Sequence, residues 1–169
     1  MNKDILFFAV MFLLLMLIQI FICNHIAIFN IAIPIVFIYF IIRLPMSMNR
    51  SVLLTLAFFT GFVIDVFSDT LGVNSLACTV MAALKRPVFY AYVDKDDRTK
   101  SITPCIATLG MATYAKFLLT LIVIYCLLVF SIEYFNFADV KEIVILAAGS
   151  TLLTFILLLA TDCLILSKK

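Results

Sequence analysis

Six long apolar stretches, separated by short polar gaps, are the feature that most limits what this chain can fold into. Of its 169 residues, 66% are hydrophobic and 13% are charged, and the mean hydropathy is +1.24. A soluble globular chain is about half apolar, so a soluble domain of this length could not bury all of these apolar side chains away from water. A helix of about 20 apolar residues covers the roughly 30 Å hydrocarbon core of a bilayer. The sequence therefore predicts an all-α polytopic membrane protein.

We expect one transmembrane domain over residues 1–169, built as a bundle of six transmembrane helices. The predicted spans cover residues 5–23, 28–42, 52–67, 76–93, 102–130 and 143–166. The first is expected to remain as a signal anchor, because no convincing small-x-small cleavage site follows it. The second has Pro34 near its start, where a missing amide matters least if Pro34 lies in the first turn of the helix.

Two of these spans carry signals that disturb a simple helix. The Lys-Arg-Pro sequence at 85–87 predicts that the fourth span bends or ends there and continues as an interfacial segment to Lys100. The fifth span has 29 residues and would be roughly 43 Å long as one helix, so it must tilt or project into the interface. Ser101 or Thr103 is expected to cap this helix, with Pro104 inside its first turn.

Basic residues in the gaps between the spans indicate the orientation, because Lys and Arg in short loops disfavour translocation. Eight of them occupy the amino terminus, the second and fourth gaps and the carboxyl terminus: Lys3, Arg43, Arg50, Lys95, Arg98, Lys100, Lys168 and Lys169. The first and third gaps contain no Lys or Arg, and the fifth contains only Lys141. Both termini are therefore expected to face the cytoplasm.

Composition and residue spacing argue against several classes of function. The gaps of about four to eleven residues leave no room for a soluble domain. The net charge of +2 is too diffuse for nucleic acid and fits lipid headgroups better. His25 is the only histidine, and the five cysteines are scattered without a Cys-x-x-Cys pair: Cys23, Cys78, Cys105, Cys126 and Cys163. We therefore predict no catalytic residues, no cofactor and no metal site.

Polar residues in the third span and the loop after it form the main candidate motif. They are Gly61, Asp65, Ser68, Asp69, Gly72 and Asn74. On a helix, Gly61, Asp65 and Ser68 or Asp69 share one face, where Gly61 would let a neighbouring backbone approach and Asp65 could accept hydrogen bonds. Gly72 and Asn74 fit a tight turn followed by an amino-terminal cap. The motif could lock a helical hairpin, contact a partner's transmembrane helix or bind a small ligand.

Two further charged residues lie inside the predicted spans, where an ionised group is costly. Lys116 is expected to extend its side chain to the inner interface, or alternatively to pair with Asp162 in the same half of the membrane. Both residues are candidates for a role inside the bundle.

The segment from Gly61 to Thr79 resembles the pattern of the third and fourth spans of the MreD family, the rod shape-determining membrane proteins of bacteria. The chain is similar to this family in length, in an amino-terminal anchor ending in Asn-His, and in the stretch from Pro34 through Arg43 and Leu44 to Pro45. The combination of Gly61, Asp65, Gly72 and Asn74 carries most of the resemblance, which covers nearly the whole chain.

The resemblance implies a non-enzymatic adaptor of the cell-wall elongation machinery in the bacterial inner membrane, needed for rod shape and for organising peptidoglycan synthesis. It implies an MreC-like protein as the main partner, with MreB, the RodA glycosyltransferase and a penicillin-binding transpeptidase as further partners. The family is also similar to the six-helix substrate-binding subunits of energy-coupling-factor transporters. An alternative function is therefore a vitamin-type substrate-binding subunit, for which we expect a polar pocket near Asp65 and Asp69. A lipid-modifying enzyme lacks the required paired acids or nucleophile with base.

Overall fold

A computed structural model of the chain describes residues 2–21, 34–70, 72–93, 103–133 and 140–167. All of the regular elements in these residues are helices, which confirms the predicted all-α class. The helices are α1 (Asn2–Phe21), α2 (Ile38–Arg43), α3 (Arg50–Ser68), α4 (Val73–Tyr92), α5 (Ile106–Leu109), α6 (Met111–Glu133) and α7 (Val140–Ser167).

Among the residues that the structure describes, three helical segments are long and apolar enough to cross a membrane, which indicates a membrane protein. They are Arg50–Ser68, Met111–Glu133 and, within α7, Val144–Cys163. A shorter apolar segment, Phe8–Phe21, lies in α1. Large apolar side chains cover the outer faces of the helices, as lipid-facing surfaces require. Six spans with both termini in the cytoplasm remain a prediction.

The bundle is organised around α6, which packs against both α4 and α7, while α3 and α4 form an antiparallel hairpin. One side of α6 is fully enclosed, as shown by Tyr114, Leu118, Leu121 and Tyr125, each of which is at most 1% exposed. With 23 residues, α6 is about 34 Å long and matches the hydrocarbon thickness.

The second predicted span differs from the structure, because residues 34–37 are not helical and α2 has only six residues. The backbone N–H of Ile35 donates to Thr154 Oγ1 at 3.0 Å, and that of Val36 donates to Gln19 Oε1 at 2.8 Å. Gln19 Nε2 in turn donates to the Pro34 carbonyl at 3.1 Å. Non-helical backbone is tolerated at membrane depth where side chains satisfy it, so the prediction of a helix over these residues and of Pro34 in its first turn is wrong. Residues 28–33 lie outside the described residues.

The fifth predicted span is also wrong as one continuous helix, because it is divided at Gly110. Thr103 and Pro104 are not helical, and Cys105 is the N-cap residue of α5. Gly110 has φ +77° and ψ 157°, a region that only glycine adopts without strain. The helix is therefore interrupted there, and α6 starts at Met111. Ser101, the other predicted cap, lies outside the described residues.

The predicted end at 85–87 is wrong as well, since α4 continues through Pro87 to Tyr92, while a bend at Pro87 stays a prediction. Lys85 is only 1% exposed rather than interfacial. Its Nζ donates to the carbonyls of Ile41 at 2.9 Å and Leu44 at 2.6 Å, at the carboxyl end of α2. These carbonyls have no partner within so short a helix, and a cation is favourable at that end of the helix dipole. Residues 94–100 lie outside the described part of the chain.

Candidate functional site

Asp65 is the centre of the contact between α3 and α4. Its buried carboxylate accepts five hydrogen bonds, all from residues that follow it by five to ten positions. Oδ1 accepts from Thr70 Oγ1 at 2.6 Å and from the backbone N–H and the side-chain amide of Asn74 at 3.0 and 3.1 Å. Oδ2 accepts from the backbone N–H of Ser75 at 2.8 Å and from its hydroxyl at 2.5 Å.

This arrangement lets a residue of α3 cap the amino terminus of α4. Asn74 and Ser75 are the second and third residues of α4, whose N–H groups have no partner within the helix. A capping side chain normally comes from the residue just before a helix. Here that residue is Gly72, at φ +79°, so the prediction that Asn74 is the cap is wrong, and the carboxylate of Asp65 takes the role.

Gly61 allows this contact, because the two backbones touch at its position. A Cβ atom on Gly61 would lie 2.5 Å from the Asn74 carbonyl oxygen and 2.5 Å from Ser75 Cα. Asn74 extends the contact to α6, since its Oδ1 accepts from the Tyr125 hydroxyl at 2.5 Å. The structure thus brings Gly61, Asp65 and Asn74 together at one point of the bundle.

Ser68 and Asp69 occupy the end of the same helix but differ in surroundings. Asp69 is exposed and adopts a left-handed conformation, φ 55°, as the residue that ends α3. Aspartate tolerates this conformation better than most residues. Ser68 is half-buried and faces the cavity described next. Thr70, Ser75 and Tyr125 also belong to this network, and local sequence rules give no signal for them. Thr70 and Ser75 bind Asp65 across the turn between two helices, and Tyr125 lies 51 positions from Asn74.

A cavity of about 400 Å³ opens beside the Asp65 network, at the end of the bundle where α1, α3 and α6 finish and α4 begins. Its polar lining residues are Gln19, Ser68, Thr70, Asn74, Tyr125 and Glu133. Its apolar lining residues are Ile35, Phe37, Ile64, Phe67, Val129 and Phe130. Pockets that bind small molecules commonly have volumes of about 300 to 1,000 Å³, so this cavity has the size of a small-molecule site.

A second polar cluster lies around Asp162 of α7, at the opposite end of the bundle. Asp162 is buried, and its Oδ1 accepts from the Tyr39 hydroxyl and from Arg43 Nη1, the latter at 3.2 Å. The alternative of a Lys116–Asp162 pair is therefore wrong: Arg43 is the cation that pairs with Asp162, and Lys116 is exposed. Tyr114 lies beside the same carboxylate, but no well-aligned hydrogen bond reaches its hydroxyl or Asp162 Oδ2 among the described residues.

The two tyrosines of this cluster provide a matched test. We expect Tyr39→Phe to lower the free energy of unfolding by about 2 kcal/mol, because it removes a hydrogen bond to a buried carboxylate. Tyr114→Phe is expected to lower it by less, about 0.5 to 1 kcal/mol, because the Tyr114 hydroxyl lies beside Asp162 without a well-aligned hydrogen bond. Unfolding by dodecyl sulfate in mixed micelles measures both changes. Equal losses for the two variants would contradict the hydrogen-bond assignment.

The lipid-facing side of the bundle contains an apolar groove of about 340 Å³ between α6 and α7. From α6 it is lined by Leu119, Val123 and Leu127, and from α7 by Val144, Ala147, Ala148, Thr151, Leu152 and Phe155. Two adjacent alanines make the α7 wall shallow at its centre. This is the kind of surface against which a transmembrane helix can approach closely.

The described residues contain no group of three or more His, Cys, Asp or Glu side chains placed to hold a metal ion. His25 and Cys23 lie outside the part of the chain that the structure describes.

Comparisons of the chain with protein-family models, with curated proteins and with solved structures found no match. The resemblance to the MreD family therefore depends on the residues of the motif, chiefly Gly61, Asp65, Gly72 and Asn74.

Proposed function

We propose that this protein is a non-enzymatic adaptor of the MreD type in the bacterial inner membrane. In this proposal six segments enter the membrane, both termini face the cytoplasm, and the bundle holds the membrane anchors of proteins that build peptidoglycan along the cell. An MreC-like protein is the main partner, and MreB, RodA and a penicillin-binding transpeptidase complete the assembly.

The groove between α6 and α7 is the observation that carries this proposal. Transmembrane helices associate through close packing of small residues, because lipid tails are as apolar as the side chains and the hydrophobic effect does not drive the helices together. Ala147 and Ala148 supply small residues at the centre of the groove, while Leu119, Leu127 and Leu152 border it and are 42 to 65% exposed. A single-span anchor laid in this groove would cover these leucines and contact both helices.

The motif that carries the resemblance supports the proposal in a different way. Asp65, Gly61 and Asn74 interact with each other and with Ser75 and Tyr125, so they stabilise the hairpin and its contact with α6. A rigid bundle is what an adaptor needs in order to present a fixed groove to its partners.

Ala148→Phe tests the groove directly. The new ring would fill the shallow wall, and we expect the amount of MreC-like protein retained on purification in mild detergent to fall at least about tenfold, which is the effect of about 1.4 kcal/mol on binding. Ala148 is exposed, so the folding of the protein itself should be preserved. The matched control is Ala160→Phe, at an exposed position of the same helix outside the groove. Retention that is unaffected by Ala148→Phe, or reduced equally by both variants, would contradict the proposed docking site.

A second candidate function is favoured by the cavity beside the Asp65 network. Its volume of about 400 Å³ and its lining of aromatic and polar side chains suit a vitamin-type substrate-binding subunit of a membrane transporter. Mass spectrometry of the protein purified from native membranes tests this function, with one bound small molecule per chain as the expected result. Protein that carries no small molecule and binds none when it is offered would argue against it.

A further inference from the structure

We infer that the cavity at the end of α1, α3 and α6 selects an organic cation: a protonated amine or a quaternary ammonium group on an apolar body. This inference rests on the second candidate function, in which the cavity binds a small molecule, and it adds the chemical class of that molecule.

The charge of the cavity lining favours a cation. Glu133 is the only charged side chain among its described lining residues. The one salt bridge among the described residues joins Arg43 and Asp162 at the other end of the bundle. None of the described Lys and Arg side chains therefore forms a close ion pair with Glu133. Lys141 is exposed near the start of α7 and does not line the cavity.

The helix ends around the cavity add to this negative potential. The lining includes residues from the last turns of α1, α3 and α6, represented by Gln19, Ser68 and Glu133. The carboxyl end of each helix carries a partial negative charge. The partial positive charge at the amino end of α4 is balanced by the carboxylate of Asp65, which accepts hydrogen bonds from the N–H groups there. Among the described lining residues, these helix ends and Glu133 therefore favour a positive charge in the cavity.

Aromatic rings supply the remaining recognition. Phe37, Phe67, Phe130 and Tyr125 all line the cavity, and the rings of Phe37 and Tyr125 pack edge to face with centroids 5.8 Å apart. The faces of aromatic rings attract ammonium groups. Such rings also provide the apolar walls that bury the body of a ligand.

The polar side chains of the lining are largely committed to the protein itself. Both ends of the Gln19 amide bind residues 34–36. The Asn74 amide binds Asp65 and Thr70 and accepts from Tyr125. A ligand that needs many directional hydrogen bonds would find few partners here. A ligand recognised by charge and ring contacts needs only Glu133 and the aromatic walls.

Benzyltrimethylammonium, benzyl alcohol and phenylacetate are suitable probes, because they share a benzyl group and differ in charge. Equilibrium dialysis against lipid nanodiscs containing the protein measures binding, with empty nanodiscs as the blank. We expect the cation to bind at least about tenfold more tightly than the other two probes. Glu133 is exposed, so Glu133→Gln should weaken binding of the cation about two- to fivefold and leave binding of benzyl alcohol unchanged. Asp69→Asn is the matched control, since it removes an exposed acid at the same end without altering the cavity lining.

The possible results separate the inference from the function on which it rests. Tighter binding of benzyl alcohol or phenylacetate, or equal weakening by Glu133→Gln and Asp69→Asn, would overturn the cation selectivity while leaving the cavity as a binding site. Failure of all three probes to bind would overturn the inference, whereas the second candidate function falls only if the protein from native membranes also carries no small molecule. An ammonium group can belong to a free amine or to a phosphatidylethanolamine headgroup. Native mass spectrometry in phosphatidylethanolamine or phosphatidylglycerol nanodiscs distinguishes these sources, because only the former lipid would remain bound and would compete with benzyltrimethylammonium.

Discussion

Asp65→Leu is expected to lower the free energy of unfolding by about 3 to 4 kcal/mol. The substitution removes the acceptor of five hydrogen bonds and leaves the N–H groups of Asn74 and Ser75 without a cap at the start of α4. Losing a helix cap costs about 1 to 2 kcal/mol, and each buried donor left unpaired adds about 1 kcal/mol or more. Asp65→Asn should cost less, about 2 kcal/mol, because one acceptor oxygen remains.

Dodecyl sulfate unfolding in mixed micelles and the abundance of the protein in membranes measure this effect. The control is Asp69→Asn, which changes an exposed acid four residues further along the chain and should alter stability by less than about 0.5 kcal/mol. Asp65→Leu with normal stability and abundance but lost partner retention would contradict the internal role of Asp65. That outcome would identify the residue as part of a contact site.

Gly61→Ala is expected to be nearly as disruptive, with a loss of about 3 kcal/mol. The added Cβ would lie 2.5 Å from the Asn74 carbonyl oxygen and from Ser75 Cα. Both obstacles are backbone atoms, so α3 and α4 must move apart, and overpacking of this kind costs about 1 to 3 kcal/mol or more. The separation would also stretch the hydrogen bonds to Asp65. The cost of separating α3 and α4 outweighs the gain of about 1 kcal/mol in helix propensity when alanine replaces glycine.

The same unfolding measurement tests Gly61→Ala, with Thr55→Ala on the exposed face of α3 as the control. A double variant provides a further check. If Gly61→Ala acts by separating the hairpin, the combined loss with Asp65→Leu should be smaller than the sum of the single losses, because both remove the same contact. Additive losses, or a stabilised Gly61→Ala protein, would contradict the close approach of the two helices.

Local spacing was sufficient to predict part of the hairpin. Gly61 and Asp65 are four residues apart, so they share a face of α3, and the turn residue Gly72 lies just before α4. Local sequence rules look for a cap next to its helix and therefore predict Asn74 as the capping residue. The structure instead takes the cap from Asp65, nine and ten residues before its backbone partners.

Long-range partners explain the other differences from the sequence-based predictions. The non-helical segment at 34–37 depends on a hydrogen bond from Ile35 to Thr154, 119 positions away. The carbonyls at the carboxyl end of α2 accept hydrogen bonds from Lys85, more than 40 positions away. Asp162 pairs with Arg43 across 119 positions. No periodicity or propensity encodes such pairs, since each depends on which helices become neighbours.

The amino-acid sequence by itself determined that lipid surrounds much of the protein and that the fold is all-α. Apolar composition and stretch length require lipid around much of the surface, and in lipid the backbone satisfies itself most simply as helices. Only the tertiary structure decided where helices could be interrupted, which buried charges met a partner, and where a cavity and a groove were left. The physical reason is that an unpaired backbone or charged group in the bundle is too costly unless a specific neighbour binds it, and neighbours exist only after the helices have packed.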